Sequence, residues 1–163
     1  MDVGPFRSTI SMLKLTKKSD YALIALVHLA AEPRRQGATA KEIAESYRIP
    51  LPLLSKVLQT LCKTGYLASE QGTKGGYRLG RDPRMISALE VVRAIDGPVF
   101  LASCFHGDAE CEQLDTCIVK EPLRKVHEGI LRLLDNISIS DLTADSRPMP
   151  MRGQSVWPVQ LTV

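Results

Sequence analysis

Cys104, Cys111 and Cys117 bound the stretch CFHGDAECEQLDTC, which holds three of the chain's four cysteines in fourteen residues with six and five residues between them. Thiolates are ligands for soft metal centres, and thiols spaced at loop distances can close on one centre. With Gly107 and four acids between the cysteines, the stretch is too small and polar for a core element. It reads as a ligand loop. The fourth cysteine, Cys62, sits in an apolar run and reads as a small core residue.

The 163 residues suffice for one domain with appendages, enough to bury a core and build a dimer surface as well. The N-terminus MDVGPFRSTISM has no apolar core of a signal peptide, and the longest apolar run, residues 23–31, is interrupted by His28 and too short to cross a bilayer. The expected address is the cytoplasm, without membrane association. In that reducing compartment a cysteine cluster serves a metal or a redox reaction rather than a disulfide scaffold. The net charge of +3 is unevenly placed: residues 14–84 carry +7 and residues 85–163 carry −4. A basic front half points to a polyanion partner.

Several elements must position the loop and use that charge. From Thr16, an expected N-cap, KKSDYALIALVHLAA reads as a mostly buried helix, with Tyr21, Ile24, Val27 and His28 on one face and Leu23, Leu26 and Ala30 beside it. Thr39 and Glu42 form a capping box that opens a second helix, whose inner face is Ile43, Ala44 and Tyr47. Pro50 ends it. Pro52 suits the first turn of a third helix with Leu54, Val57, Leu58 and Leu61 inside, which makes a helix-turn-helix. The outward positions Ser55, Lys56, Gln59, Thr60 and Lys63 are polar or cationic, the chemistry that base edges and phosphates require.

Gly65 closes that helix, and residues 66–69 and 77–79 read as strands joined by a basic, glycine-rich hairpin carrying Lys74. Straight after a helix-turn-helix, such a hairpin is a wing. GTKGG lacks the spacing and strand-then-helix context of a phosphate loop. Ser87 and Glu90 form a second capping box, opening a helix with Leu89, Val92 and Ile95 inside and Gly97-Pro98 at its end. Beyond the cysteine loop, Pro122 introduces a three-four repeat of Leu123, Val126, Ile130, Leu133 or Leu134, and Ile137, with Arg124, Lys125, Glu128 and Arg132 outside. That stripe belongs either to the chain's own core or to a dimer stem.

The expected chain is mainly α: a disordered leader at 1–12, with Met12 an equal candidate start, and a winged helix-turn-helix over 13–84 with a small β-hairpin wing. A linker helix and cysteine loop over 85–120, a long dimerisation helix over 121–142 and a disordered tail at 143–163 complete it.

LTKKSDYALIAL at 15–26, PLLSKVLQTLCKTGYL at 52–67, the QGTKGGYRL wing, the ISALEVVRAIDG helix and the three-cysteine loop occur in one order. Together, over about residues 13–142, they resemble the family of dimeric winged-helix repressors that includes IscR and NsrR, in particular its Suf-operon type regulators. The resemblance implies a homodimeric DNA-binding regulator, not an enzyme, whose Cys104, Cys111 and Cys117 hold an iron-sulfur cluster. It leaves the fourth ligand to be placed. IscR-type sites take a histidine three residues after the last cysteine, where this chain has Lys120, which argues against a histidine-ligated 2Fe-2S cluster. NsrR-type sites take a carboxylate from the partner subunit's first helix to a 4Fe-4S cluster, and Asp20 stands at that position. A 4Fe-4S cluster is accordingly favoured. His106, Asp108, Glu110 and Asp115 are local alternatives, His106 the weaker choice beside Asp20.

Dimer symmetry implies a pseudopalindromic double-stranded operator. Ser55, Lys56 and Gln59 are then the expected base readers, and Thr16, Lys17, Thr39, Lys41, Lys74 and Tyr77 the expected phosphate or minor-groove contacts. Operator affinity would respond to redox, nitric oxide or iron status through the cluster. Two other readings stand beside this one: a zinc- or thiol-switch repressor of the same fold without a cluster, and an iron-sulfur or thiol enzyme. The enzyme reading leaves the basic helix-turn-helix without a use.

Overall fold

The computed structural model describes residues 15–31, 37–70, 72, 75–105 and 116–145. The expected leader, most of the expected tail, the wing tip with Lys74, and the loop positions His106 and Cys111 lie outside these residues.

Helix α1 (Lys17–Ala31) starts where Thr16 caps it, its Oγ1 accepting the Ser19 N–H at 3.2 Å while its carbonyl accepts the Asp20 N–H. The buried side is Ser19, Ala22, Ala25, Leu26 and Leu29. The face of Tyr21, Ile24, Val27 and His28 is half-buried, with Tyr21, Ile24 and Val27 packed at the margin of the core. A helix that is apolar nearly all round has no sharp preferred face. The small Ala22 and Ala25 let the core approach closely, and Leu26 and Leu29 fill it beside them.

Helix α2 (Ala40–Tyr47) carries the expected capping box, with Glu42 N–H to Thr39 Oγ1 at 3.2 Å and Thr39 N–H to Glu42 Oε2 at 2.7 Å. Ile43 and Ala44 are buried. Tyr47, expected inside, is 44% exposed and stands edge-on to His28, with Oη 3.2 Å from Nδ1. Helix α3 (Leu51–Lys63) begins on Pro52 in its first turn and buries the four predicted residues Leu54, Val57, Leu58 and Leu61. Burying an aliphatic side chain of this size contributes roughly 1.5–3 kcal/mol.

Strands β1 (Leu67–Glu70) and β2 (Gly76–Leu79) pair antiparallel, Leu67 opposite Leu79 and Glu70 opposite Gly76. Ala38 bridges the other side of β2 through two backbone hydrogen bonds with Tyr77, at 2.8 and 3.0 Å. The crossing explains two glycines. A Cβ on Gly37, whose φ is +107°, would lie 2.6 Å from the Tyr77 carbonyl oxygen, and one on Gly76 would lie 2.7 Å from that of Ala38.

Past a 3-10 turn at Pro83–Met85, helix α4 (Ala88–Asp96) opens on the Ser87–Glu90 capping box and buries Ala88, Leu89, Val91 and Val92. Ile95, expected inside, is half-buried and packs at the margin of the core. Helix α5 (Lys120–Asn136) buries none of its residues. The stretch expected as one helix to 142 breaks at Ile137, and helix α6 (Ile139–Asp145) follows, reaching into the expected tail. Ser138 caps α6: its Oγ accepts the Asp141 N–H at 3.1 Å, and Asp141 Oδ2 accepts the Ser138 N–H at 2.9 Å. Ile139 is fully buried in the core formed with α1 and α3. The two caps lie against each other, Ala88 N–H donating to the Ile137 carbonyl at 2.8 Å and Ile139 N–H to that of Ile86 at 2.9 Å.

Candidate nucleic-acid interface and cysteine site

On α3, packing sends one stripe inward and leaves Lys56, Gln59 and Lys63 exposed, with Ser55 and Thr60 half-exposed. Thr60 turns its hydroxyl back to the Lys56 carbonyl at 3.1 Å, which leaves Ser55, Lys56, Gln59 and Lys63 as the outward polar set. The remaining predicted contacts differ in how free they are. Thr39's hydroxyl is engaged in its capping box. Thr16's hydroxyl donates to both oxygens of Asp96, at 2.8 and 2.7 Å. Lys17 lies 3.8 Å from Asp20 and Lys41 3.9 Å from Glu45, both loose exposed pairs that a phosphate can outcompete.

Tyr77 is half-buried on the wing. Burial first, and then the neighbouring Cys62 sulfur, push its hydroxyl pKa up, so it remains a hydrogen-bond donor. Burial also pushes the Cys62 thiol up, in keeping with the small core residue expected there. Arg81 lies over the Tyr66 ring at 4.9 Å and fixes the turn that leads from α3 into the wing.

At the cysteine loop, Cys104 lies in a 3-10 turn, Ser103–Phe105, and Cys117 lies just ahead of α5. Both are free, half-buried thiols. Among the described residues no three His, Cys, Asp or Glu side chains converge on one centre; Cys111 is outside them. Asp20 lines an open groove of about 690 Å³ with Tyr21, Ile24, Val27, His28 and Leu142; among the described residues neither Cys104 nor Cys117 lines it.

Sequence reasoning missed the link between loop and stem. Phe105, next to Cys104, lies nearly parallel to the His127 ring of α5 at 5.2 Å, and Phe100 does so at 6.2 Å. His127 reads from sequence only as a packing or surface residue, because nothing local announces its aromatic neighbours. Along the same helix, Leu123, Val126 and Leu133 are 36, 51 and 57% exposed, and Ile118 and Val119 extend this apolar surface ahead of it. Arg124 pairs with Glu121 and Glu128 on the polar side.

A helix-turn-helix followed by a two-stranded wing, with polar and cationic side chains on the outer face of the second of its two helices, defines a winged-helix DNA-binding regulator. Residues 15–145 match the family model described as Rrf2, iron-dependent transcriptional regulator. The chain belongs to the Rrf2 family of DNA-binding transcriptional regulators. It is 35% identical over 131 residues to the HTH-type transcriptional regulator NsrR of Bacillus licheniformis, covering 80% of this chain and 92% of that protein. Among solved structures it resembles CymR (YrzC), the global cysteine regulator of B. subtilis, at a TM-score of 0.71 and 25% identity, over 83% of this chain and all of that one. T. potens IscR gives a TM-score of 0.67 and 27% identity, over 87% of this chain and 94% of that one. No helix among the described residues is long and apolar enough to cross a membrane.

Proposed function

We propose that the chain is a homodimeric repressor whose affinity for a pseudopalindromic operator is set by an iron-sulfur cluster held by Cys104, Cys111 and Cys117. The observation that carries this reading is the turn bearing Cys104, held to α5 through Phe105 and His127 while α5 leaves its apolar stripe uncovered. A stripe of Leu123, Val126, Ile130 and Leu133 on a helix with no buried residue is suited to the same stripe of a second copy. The thiol donors are of the type such a cluster requires, and Cys104 and Cys117 are not spent in disulfides.

Asp20 of the partner subunit is the proposed fourth ligand, supported by its half-exposed carboxylate at the edge of an open apolar groove. His106 is the local alternative. Lys120 at the position of the IscR-type histidine favours 4Fe-4S over 2Fe-2S. Such a cluster, when bound, supplies sensitivity to oxidants, nitric oxide and iron supply. The protein's part would be mechanical: Cys104, Cys111 and Cys117 would hold the cluster, Phe105 would carry a change at Cys104 to His127 of α5, and the dimer would set the spacing of two α3 helices.

Ser55, Lys56 and Gln59 would read base edges. Lys17, Lys41, Lys74 and Tyr77 would hold phosphate or the minor groove, while Thr39, whose hydroxyl caps α2, would present helix-start amides to phosphate; at Thr16 the Asp96 carboxylate already takes the helix start and works against a phosphate there.

Likeness to a cysteine regulator supports a second reading, in which the loop thiols themselves switch without a cluster. Anaerobically purified protein decides between them. Visible charge-transfer absorption with iron and sulfide that disappears in Cys104→Ala, and a cluster altered in Asp20→Ala, are expected. Colourless protein that binds DNA in a thiol-dependent or zinc-dependent way would replace the cluster reading with the second one.

A further inference from the structure

Arg48 is the one described non-glycine residue with a left-handed backbone, at φ +54° and ψ +41°. It caps α2, its N–H donating to the Ala44 carbonyl, and it occupies the tight turn that delivers the chain to α3. A Cβ in this conformation crowds the following carbonyl oxygen, so glycine or asparagine is favoured where a helix ends this way. An arginine gains nothing from the backbone here. Its side chain is exposed, and among the described residues its guanidinium has no ion-pair or hydrogen-bond partner.

Three other described arginines between residues 13 and 84 are held. Arg78 pairs with Glu70, Arg84 with Asp82, and Arg81 with the Tyr66 ring and the Thr64 carbonyl. Arg48 instead stands three residues ahead of α3, at the end of that helix nearer the outward Ser55 and Lys56. Strained residues persist where a function holds them.

We infer that Arg48 is a DNA-phosphate contact built into the helix-turn-helix turn, tolerated in a glycine-type conformation for the sake of its guanidinium. A planar fork of five N–H donors suits a phosphate beside the groove that α3 enters. This rests on the reading of the chain as a dimeric operator-binding protein, and adds to it a cation that periodicity does not single out.

Strain and charge can be separated by three variants, with affinity for operator DNA measured across a salt series alongside thermal unfolding. Arg48→Gly removes both, and should raise Tm by roughly 2–5 °C. It should also flatten the slope of log affinity against log salt by about two, one phosphate on each half-site. At about 0.15 M salt that corresponds to a loss of roughly 30-fold. Arg48→Ala should lose the same affinity with no gain in Tm, and Arg48→Lys should keep most of the slope. An Arg48→Gly protein that binds with the wild-type slope would overturn the inference while leaving operator binding intact. A wild-type protein that binds no operator would instead remove the reading beneath it.

Discussion

The buried hydroxyl of Ser19 donates to Asp96 Oδ2 across 2.6 Å, joining the first turn of α1 to the last residue of α4. Thr16 donates to the same carboxylate, so one acid at a helix start ties together two segments 77 and 80 residues apart. A carboxylate beside a helix N-terminus is also favoured by the helix dipole. Asp96→Ala would leave Ser19 buried without its acceptor and is expected to destabilise by about 1–3 kcal/mol. Urea unfolding checks this, with Asp96→Asn expected to lose less. Equal stability of the alanine variant and wild type would contradict it.

Ser138 makes a similar joint just past the end of α5, at the start of α6. Ser138→Ala removes the cap of α6 and should cost about 1 kcal/mol. Hydrogen exchange locates the loss: protection should fall in α6 and in the backbone pairs between residues 86–88 and 137–139, and remain in α3. Uniform loss throughout the chain would show that α6 is not a separate unit.

Asp82 accepts the Arg84 guanidinium at 2.6 Å and then its backbone N–H at 2.9 Å, and these bonds lower its pKa to about 2. Because the folded value lies below the unfolded value of roughly 4, the interaction stabilises at neutral pH and is lost as the pH falls from about 4 toward 2. In a carboxyl NMR titration, the Asp82 midpoint should rise toward 4 in Arg84→Ala. It should stop short of that value, since the backbone N–H still donates. An unmoved midpoint would assign the shift elsewhere.

Leu133 is the most exposed large apolar residue of α5. Leu133→Asp should leave the monomer's fold intact, since it removes no buried contact, but should move the protein to a monomer in sedimentation and weaken operator binding. A dimer that survives this change and Val126→Asp would place the interface on another surface.

The helix-turn-helix was legible because its signals are local: the Thr39–Glu42 box, the pair of prolines at 50 and 52, and a stripe on α3 with polar residues opposite. The inward face of α1 was not, because a helix apolar on all sides gives periodicity little to choose from. Helix α6 escaped notice for two reasons. It has only seven residues, and its cap uses the shorter Asp141 where the other two boxes use glutamate. The stacking of Phe105 on His127 joins residues across the cysteine loop, and no spacing rule reaches that far.

The pinned junction at Ile137 makes the length of α5 a matter of phase. A single residue inserted between His127 and that junction turns everything before it by about 100° about the helix axis. It would swing His127 from Phe105 and break the apolar stripe into two half-stripes facing different ways. Seven residues would restore the stripe to nearly its original bearing, but the helix would be about 10 Å longer and Phe105 would need to follow His127 along it. Variation in this helix is therefore expected to come in whole heptads or not at all.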